Sequence, residues 1–280
     1  MQEWSGIRIK EGVLRLEINK VTCAYFSVGG TTEKVIREVA APFSDYTTEY
    51  IDLTKHEMRE DNYYFTEHDL LIVAAPAYFG RIPKPVAAVL EQHFIGEKTP
   101  AIVIGTYGNG DIGDTIMELY KILSGHDFVP FGAGEFSCQH TYLSELALGR
   151  PDEEDLAIAH EFGEKLKDRL KLLVHYAVKP MDIPGTFPYT HAVPDQIPFK
   201  VETNESCFYC MICAGICPMQ AISESNPFDI NDDVCIRCSA CIKACPASAK
   251  YFTRTPFELI QDNLLKPLVG TRKESRYWIG

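Results

Sequence analysis

CFYCMICAGICP at residues 207–218 and CIRCSACIKACP at residues 235–246 follow one pattern, Cys-x2-Cys-x2-Cys-x3-Cys-Pro. Cys207, Cys210, Cys213, Cys217 and Pro218 recur 28 residues later as Cys235, Cys238, Cys241, Cys245 and Pro246. Three cysteines at three-residue spacing wrap three corners of an iron–sulfur cubane, and the fourth, beyond the next turn, points to the other cluster. The spacing therefore predicts two [4Fe–4S] clusters with crossed ligands. Cluster I takes Cys207, Cys210, Cys213 and Cys245; cluster II takes Cys235, Cys238, Cys241 and Cys217. Small residues beside the ligands (Ala214, Gly215, Ser239 and Ala240) let backbone N–H groups approach the sulfides. Structural zinc, the rival use of such cysteines, takes two separated CxxC pairs and not runs of four.

Eight of the ten cysteines are thus spent within residues 207–245, leaving Cys23 and Cys138 outside. The N-terminus MQEWSGIRIKEG shows no basic stretch followed by an apolar core, and Pro76 interrupts the best apolar run, Leu70 to Phe79. A cytoplasmic protein with no membrane span is expected, where crowded cysteines bind metal instead of forming disulfides. The net charge of −12 argues against nucleic acid. Residues 200–254 carry 5 basic and 6 acidic side chains and residues 255–280 carry 4 and 3, so the negative excess lies in the first 199 residues. An acidic surface of this kind suits docking on basic patches of redox partner proteins.

Upstream of the cysteines the chain alternates strand and helix. Residues 7–18 alternate around Gly12 as a hairpin or added edge strand. Strands are expected at Val21–Phe26, Glu49–Leu53, Leu70–Ala75, Ala101–Thr106 and Phe128–Phe131. Helices are expected at Thr32–Ala41, Lys84–His93 and Asp114–Ser124, with a long one over Asp152–Tyr176. This is the pattern of an α/β doubly wound parallel sheet. Five prolines punctuate residues 178–199, which read as an extended, stiff linker. The divisions that follow are 1–177 (with 1–20 as an extension), the linker 178–199, the cluster domain 200–254 and a tail 255–280. The tail opens with a helical segment, Pro256–Leu265, and ends too apolar at Trp278 and Ile279 for plain disorder, so it is expected to pack back on a domain.

The first strand runs into Ser27-Val28-Gly29-Gly30-Thr31-Thr32, and a helix follows. A glycine-rich turn at a helix N-terminus offers N–H groups and the positive dipole end to a phosphate. Ser27, Thr31 and Thr32 add hydroxyl donors, and no Lys or Arg lies inside the turn. A terminal monophosphate such as that of FMN suits neutral donors, while the missing Walker lysine excludes a nucleoside triphosphate. A βα turn with no ligand is the plain alternative. Pro76-Ala77-Tyr78-Phe79-Gly80 and Thr106-Tyr107-Gly108-Asn109-Gly110 follow strands that end on the same sheet edge. Each sets aromatics beside a tight turn, fit to stack on an isoalloxazine and to bond its polar edge. Gly108–Gly113 also spells GxGxxG, with Glu135 about twenty residues on, but a dinucleotide fingerprint belongs in the first βαβ unit and this one follows the fourth strand. Cys23 reads as a buried core thiol. Cys138 and His140, in SCQHTY, face either the flavin or a surface loop, and His126 and His160 have no identifiable partners.

Over residues 20–176 these motifs resemble flavodoxins, and residues 200–254 resemble bacterial-type two-cluster ferredoxins. The whole chain is similar to the flavodoxin–ferredoxin fusion proteins of anaerobic bacteria and archaea. The resemblance implies a flavodoxin-like sheet followed by a small α+β ferredoxin domain, with FMN at the Ser27–Thr32, Pro76–Gly80 and Tyr107–Gly110 loops. Gly29 and Thr31 depart from the flavodoxin pattern T/S-x-T-G-N-T. Ile112 and Phe136 stand where the fusion family often has an aromatic residue and a histidine. The expected function is electron transfer between clusters, FMN and a redox partner, and the 178–199 linker is long enough to reach a second copy in a homodimer. The alternative is an FMN-dependent reductase acting directly on a small molecule, and a redox sensor or structural subunit is a third reading.

Overall fold

The computed structural model describes residues 8–10, 13–15, 17–172, 178–194 and 197–280. Arg8–Lys10 and Val13–Arg15 pair antiparallel as the expected hairpin does; residues 11–12 between them lie outside the described residues.

Six strands form the main sheet: β1 (Lys20–Tyr25), β2 (Thr47–Asp52), β3 (Asp69–Pro76), β4 (Thr99–Tyr107), β5 (Phe128–Ser137) and, from the far end of the chain, an edge strand at Arg276–Ile279. The first five run parallel in the order β2-β1-β3-β4-β5. That is the flavodoxin-like order, with its switch point between β1 and β3. β3 and β4 are near-continuous apolar runs because both faces are covered. Helices α2 (Lys84–His93) and α3 (Thr115–Gly125) bury Val86, Leu90, Ile116 and Leu119 on one face. On the other, α1 (Thr31–Ala40) and α4 (Glu153–Lys171) bury Val35, Ile36, Phe162 and Leu166. Each such side chain contributes about 1.5–3 kcal/mol of burial. A capping box between Asp152 and Asp155 starts α4. The rest of the helix expected to reach Tyr176, residues 173–177, lies outside the described residues.

The proline-rich segment crosses its own α/β domain. Asp114, fully buried at the start of α3, accepts the N–H groups of Thr186 (2.8 Å), Thr190 (2.7 Å) and His191 (2.7 Å). These bonds hold its carboxyl well below the usual carboxylate range despite burial. Arg81, paired with Glu118, adds a bond to the His191 carbonyl and lies 3.9 Å over the Tyr189 ring.

The cluster domain then pairs β6 (Val201–Thr203) antiparallel with β7 (Lys250–Phe252), joined through two short helices, α5 (Ile212–Gly215) and α6 (Ala240–Lys243). Past α7 (Arg254–Ile260) the tail returns to the first domain, and β8 (Arg276–Ile279) lies antiparallel to β5, Tyr277 opposite Gly134. No helix among the described residues is long and apolar enough to cross a membrane.

Candidate functional site

The 27–32 turn leads into the N-terminus of α1. Gly30, at φ 78°, caps α1 in the left-handed region that a glycine enters without strain. The turn is braced by Ser27 N–H on Thr54 Oγ1 (2.7 Å) and by Glu33 N–H on Ser27 Oγ (3.1 Å). Thr32 and Thr106 share a 2.8 Å hydroxyl contact that ties the turn to the third loop. Among the described residues no partner takes up the N–H groups of Val28, Gly29, Thr31 or Thr32. Free donors at a helix N-terminus fit a phosphate.

Beside the turn opens a cavity of about 250 Å3. Of the expected residues, Pro76, Ala77, Tyr78, Phe79, Thr106, Tyr107 and Gly108 line it, with Thr31 alone from the first loop; Ser27, Val28, Gly29, Gly30 and Thr32 do not. Gly80 and Gly110 do not reach it, and Asn109 is turned elsewhere. The buried Asn109 amide donates to the Thr271 carbonyl (3.1 Å) and accepts from Lys273 N–H (2.9 Å), clamping the tail to the third loop. Arg150 reinforces the clamp by donating to the Lys273 carbonyl (2.7 Å) while pairing with the fully buried Asp155. Ile112 and Phe136 lie in the apolar core. Glu135, the acid of the GxGxxG reading, is buried and bonded to Arg276 of β8.

Two stretches outside the three loops complete the cavity: Cys138 to Tyr142, of which Cys138 and His140 had the flavin-facing position as one of their two readings, and Ile260, Leu264 and Leu265 of the tail, which sequence reasoning did not assign to it. Cys138 and His140 carried a signal as reactive residue types after the last strand. The tail's signal was an apolar i, i+4 pair, Ile260 and Leu264, in a segment with no partner of its own. His140 packs so closely on Gly108 that a Cβ there would lie 2.3 Å from the imidazole, which accounts for the glycine. Burial, with the charge of Lys243, lowers His140 to about 4, so the ring is neutral near pH 7. Tyr107 is pushed up to about 12, chiefly by burial. Cys23 is a core thiol at 0% exposure.

The two cysteine loops repeat in three dimensions as they do in sequence. Tyr209 and Met211 have φ of 58° and 59°, and their counterparts Arg237 and Ser239 have 53° and 67°. Gln220 and Ser248 match likewise, both at 50°. Left-handed residues alternating with right-handed ones turn successive N–H groups inward, the concave nest that holds phosphates and iron–sulfur clusters. Ala221 N–H donates to Cys217 Sγ (3.3 Å) and Ala249 N–H to Cys245 Sγ (3.2 Å), again 28 residues apart. Cys217, Cys235, Cys238 and Cys241 line one small cavity walled by Val201, Ile222, Ile230 and Ile236. Among the described residues no three His, Cys, Asp or Glu side chains converge as ligands of a single ion would, and these four cysteines share the lining of that one cavity. Burial pushes the Cys238 and Cys241 thiols up to about 12, so they become thiolates only against a strong cation such as cluster iron. Of the other four, Cys213 is buried, Cys207 and Cys245 are half-buried and Cys210 is exposed.

The two cavities are neighbours. Tyr142, on the wall of the larger one, sits edge-on to Phe199, Phe252 and Phe257 of the second half of the chain, at centroid distances of 5.6, 5.4 and 5.5 Å. Its hydroxyl donates to the Arg237 carbonyl (2.8 Å), one residue from Cys238. Tyr78 lines the same cavity, and burial, followed by the charges of Cys238 and Tyr142, pushes its phenol well above the ordinary range.

The 4Fe–4S binding domain family model matches residues 228–251. Residues 228–251 thus match a ferredoxin-type 4Fe–4S binding domain, and they follow a sheet of flavodoxin-like strand order. No curated protein matches the chain's sequence. Among solved structures, rubredoxin:oxygen oxidoreductase from Desulfovibrio gigas is similar at 22% identity and a TM-score of 0.37, over 56% of this chain and 37% of that one. A Fusobacterium nucleatum flavodoxin bound to flavin mononucleotide is similar at 13% identity and a TM-score of 0.38, over 54% of this chain and 99% of that one. An archaeal flavodoxin is similar at 13% and 0.36, over 54% and 99%. The chain thus spans little more than a third of the first of these, and the fold assignment rests on strand order, not on these likenesses.

Proposed function

We propose that the chain is an electron-transfer flavoprotein that carries FMN in the 250 Å3 cavity and two [4Fe–4S] clusters on the crossed cysteine sets. Cluster II, on Cys217, Cys235, Cys238 and Cys241, is the one next to FMN. When bound, FMN exchanges one or two electrons and each cluster exchanges one, so single-electron and two-electron partners can be coupled. The observation that carries this reading is Tyr142, which both lines the flavin cavity and hydrogen-bonds the residue before Cys238. Tyr78 and Tyr142, on the cavity wall, would stand between a bound flavin and cluster II, and the apolar Ile260, Leu264 and Leu265 would shield the flavin from water. Around Cys207–Cys213, by contrast, Phe208, Tyr209, Ile212 and Ile216 are exposed, an apolar surface for a partner redox protein delivering electrons to cluster I. The cavity is smaller than the roughly 300–1,000 Å3 of typical ligand pockets. So small a space leaves little room for a second substrate beside a bound ring, which favours a carrier over a reductase. Ten unpaired cysteines suit a reducing compartment such as the cytoplasm.

Rapid mixing of oxidised protein with a one-electron reductant specific for the clusters tests this. Flavin reduction is expected in a phase whose rate does not depend on protein concentration. A rate that scales with concentration would mean that FMN and the clusters serve separate partners.

A further inference from the structure

Lys243 closes α6 in the second cysteine repeat, yet its side chain reaches the other domain. Its Nζ lies 3.9 Å from where a Cβ on Gly29 would stand, at the tip of the phosphate turn. The same charge bears on His140, on the cavity wall. The other two lysines of residues 200–254 are engaged: Lys200 pairs with Asp232 (2.6 Å) and Lys250 bonds Thr203 (2.7 Å). Lys243 has no ion-pair or hydrogen-bond partner among the described residues.

A phosphate monoester brings a charge of roughly −1.5 to −2. The turn meets it with neutral donors only, within the acidic part of a chain of net charge −12. Glu33, in the first turn of α1, adds a further negative charge and is balanced by Arg37 (2.8 Å). We propose that Lys243 supplies the missing cation, pairing with the FMN phosphate from the cluster domain, so that the cofactor is held by both domains at once. This inference rests on FMN being the ligand of the turn. It assigns to the flavin site a residue that the first 199 residues do not contain.

The test uses the full chain with clusters in place and flavin removed, titrated with FMN and with riboflavin while flavin fluorescence is followed. A charge-assisted hydrogen bond corresponds to about ten- to a hundredfold in affinity. Lys243→Met is expected to weaken FMN by that factor and leave riboflavin unchanged, while Lys243→Arg retains most of the FMN affinity. Cluster absorbance per chain verifies that α6 is intact in each variant. Equal loss for the two flavins, or no loss for either, overturns the role of Lys243. An unsubstituted chain that binds FMN no better than riboflavin overturns the phosphate reading of the turn itself, and this inference with it.

Discussion

The hydroxyl of Tyr142 donates a 2.8 Å hydrogen bond to the carbonyl oxygen of Arg237, joining the wall of the flavin cavity to the loop that carries Cys238. Tyr142→Phe keeps the ring among Phe199, Phe252 and Phe257 and removes only this bond. Stability should fall by about 1 kcal/mol in urea unfolding. Iron and FMN contents should stay the same, and the concentration-independent phase of flavin reduction should slow. An unchanged phase would take Tyr142 off the electron route.

The crossed ligation proposed above sets sequence proximity against spatial proximity. Cys217 follows the first triplet in sequence but lines the cavity of Cys235, Cys238 and Cys241. Cys217→Ala should therefore damage cluster II and Cys245→Ala cluster I, resolved by electron paramagnetic resonance of the reduced variants. Loss of the sequence-adjacent cluster in each case would refute the assignment.

How much of this was legible in the sequence depended on how local its cause was. β3 and α2 could be read because an unbroken apolar run between turns and a Pro-started helix are decided by their own residues; the bounds of α2, Lys84–His93, agree with the reading. The three loops were legible because strands of a parallel sheet deliver their ends to one edge. β8 was not, since four residues become a strand only on meeting β5, about 140 positions away in the chain. Asn109 looked like a cofactor contact because it sits in a glycine-rich turn, and only the folded tail shows its amide spent on Thr271 and Lys273. Lys243 could not be placed at all, because its position depends on how two domains pack.

His140 gives a pH dependence. Its folded value of about 4 lies below the ordinary imidazole value near 6.5. Between those values the unfolded chain binds more protons than the folded one, so stability is full above pH 6.5 and is lost as pH falls towards 4. By pH 5 the loss from this group should be on the order of 1–2 kcal/mol. His140→Asn should remove that part of the difference between unfolding measured at pH 7 and at pH 5. A variant with the same pH dependence as the parent would show that the ring is not held neutral by its site.

Asp114 is the peg on which the proline-rich segment hangs. Thr186 N–H reaches its Oδ1, and Thr190 and His191 N–H reach its Oδ2. The same segment then leads into the cluster domain, so the peg limits how far that domain can move from the flavin cavity. Asp114→Asn conserves shape but leaves only one oxygen, and an amide N–H facing a backbone N–H is repulsive. One or two buried donors lose their acceptor, at a cost of about 1–3 kcal/mol each. The variant should expose residues 186–191 to limited proteolysis at a protease concentration that leaves the parent intact. It should also broaden the single flavin-reduction phase into several, as the cluster domain samples more than one distance from FMN. Proteolysis without any change in that phase would mean that Tyr142 and β8 hold the domains together unaided, and that the segment from 178 to 194 is a tether and not a strap.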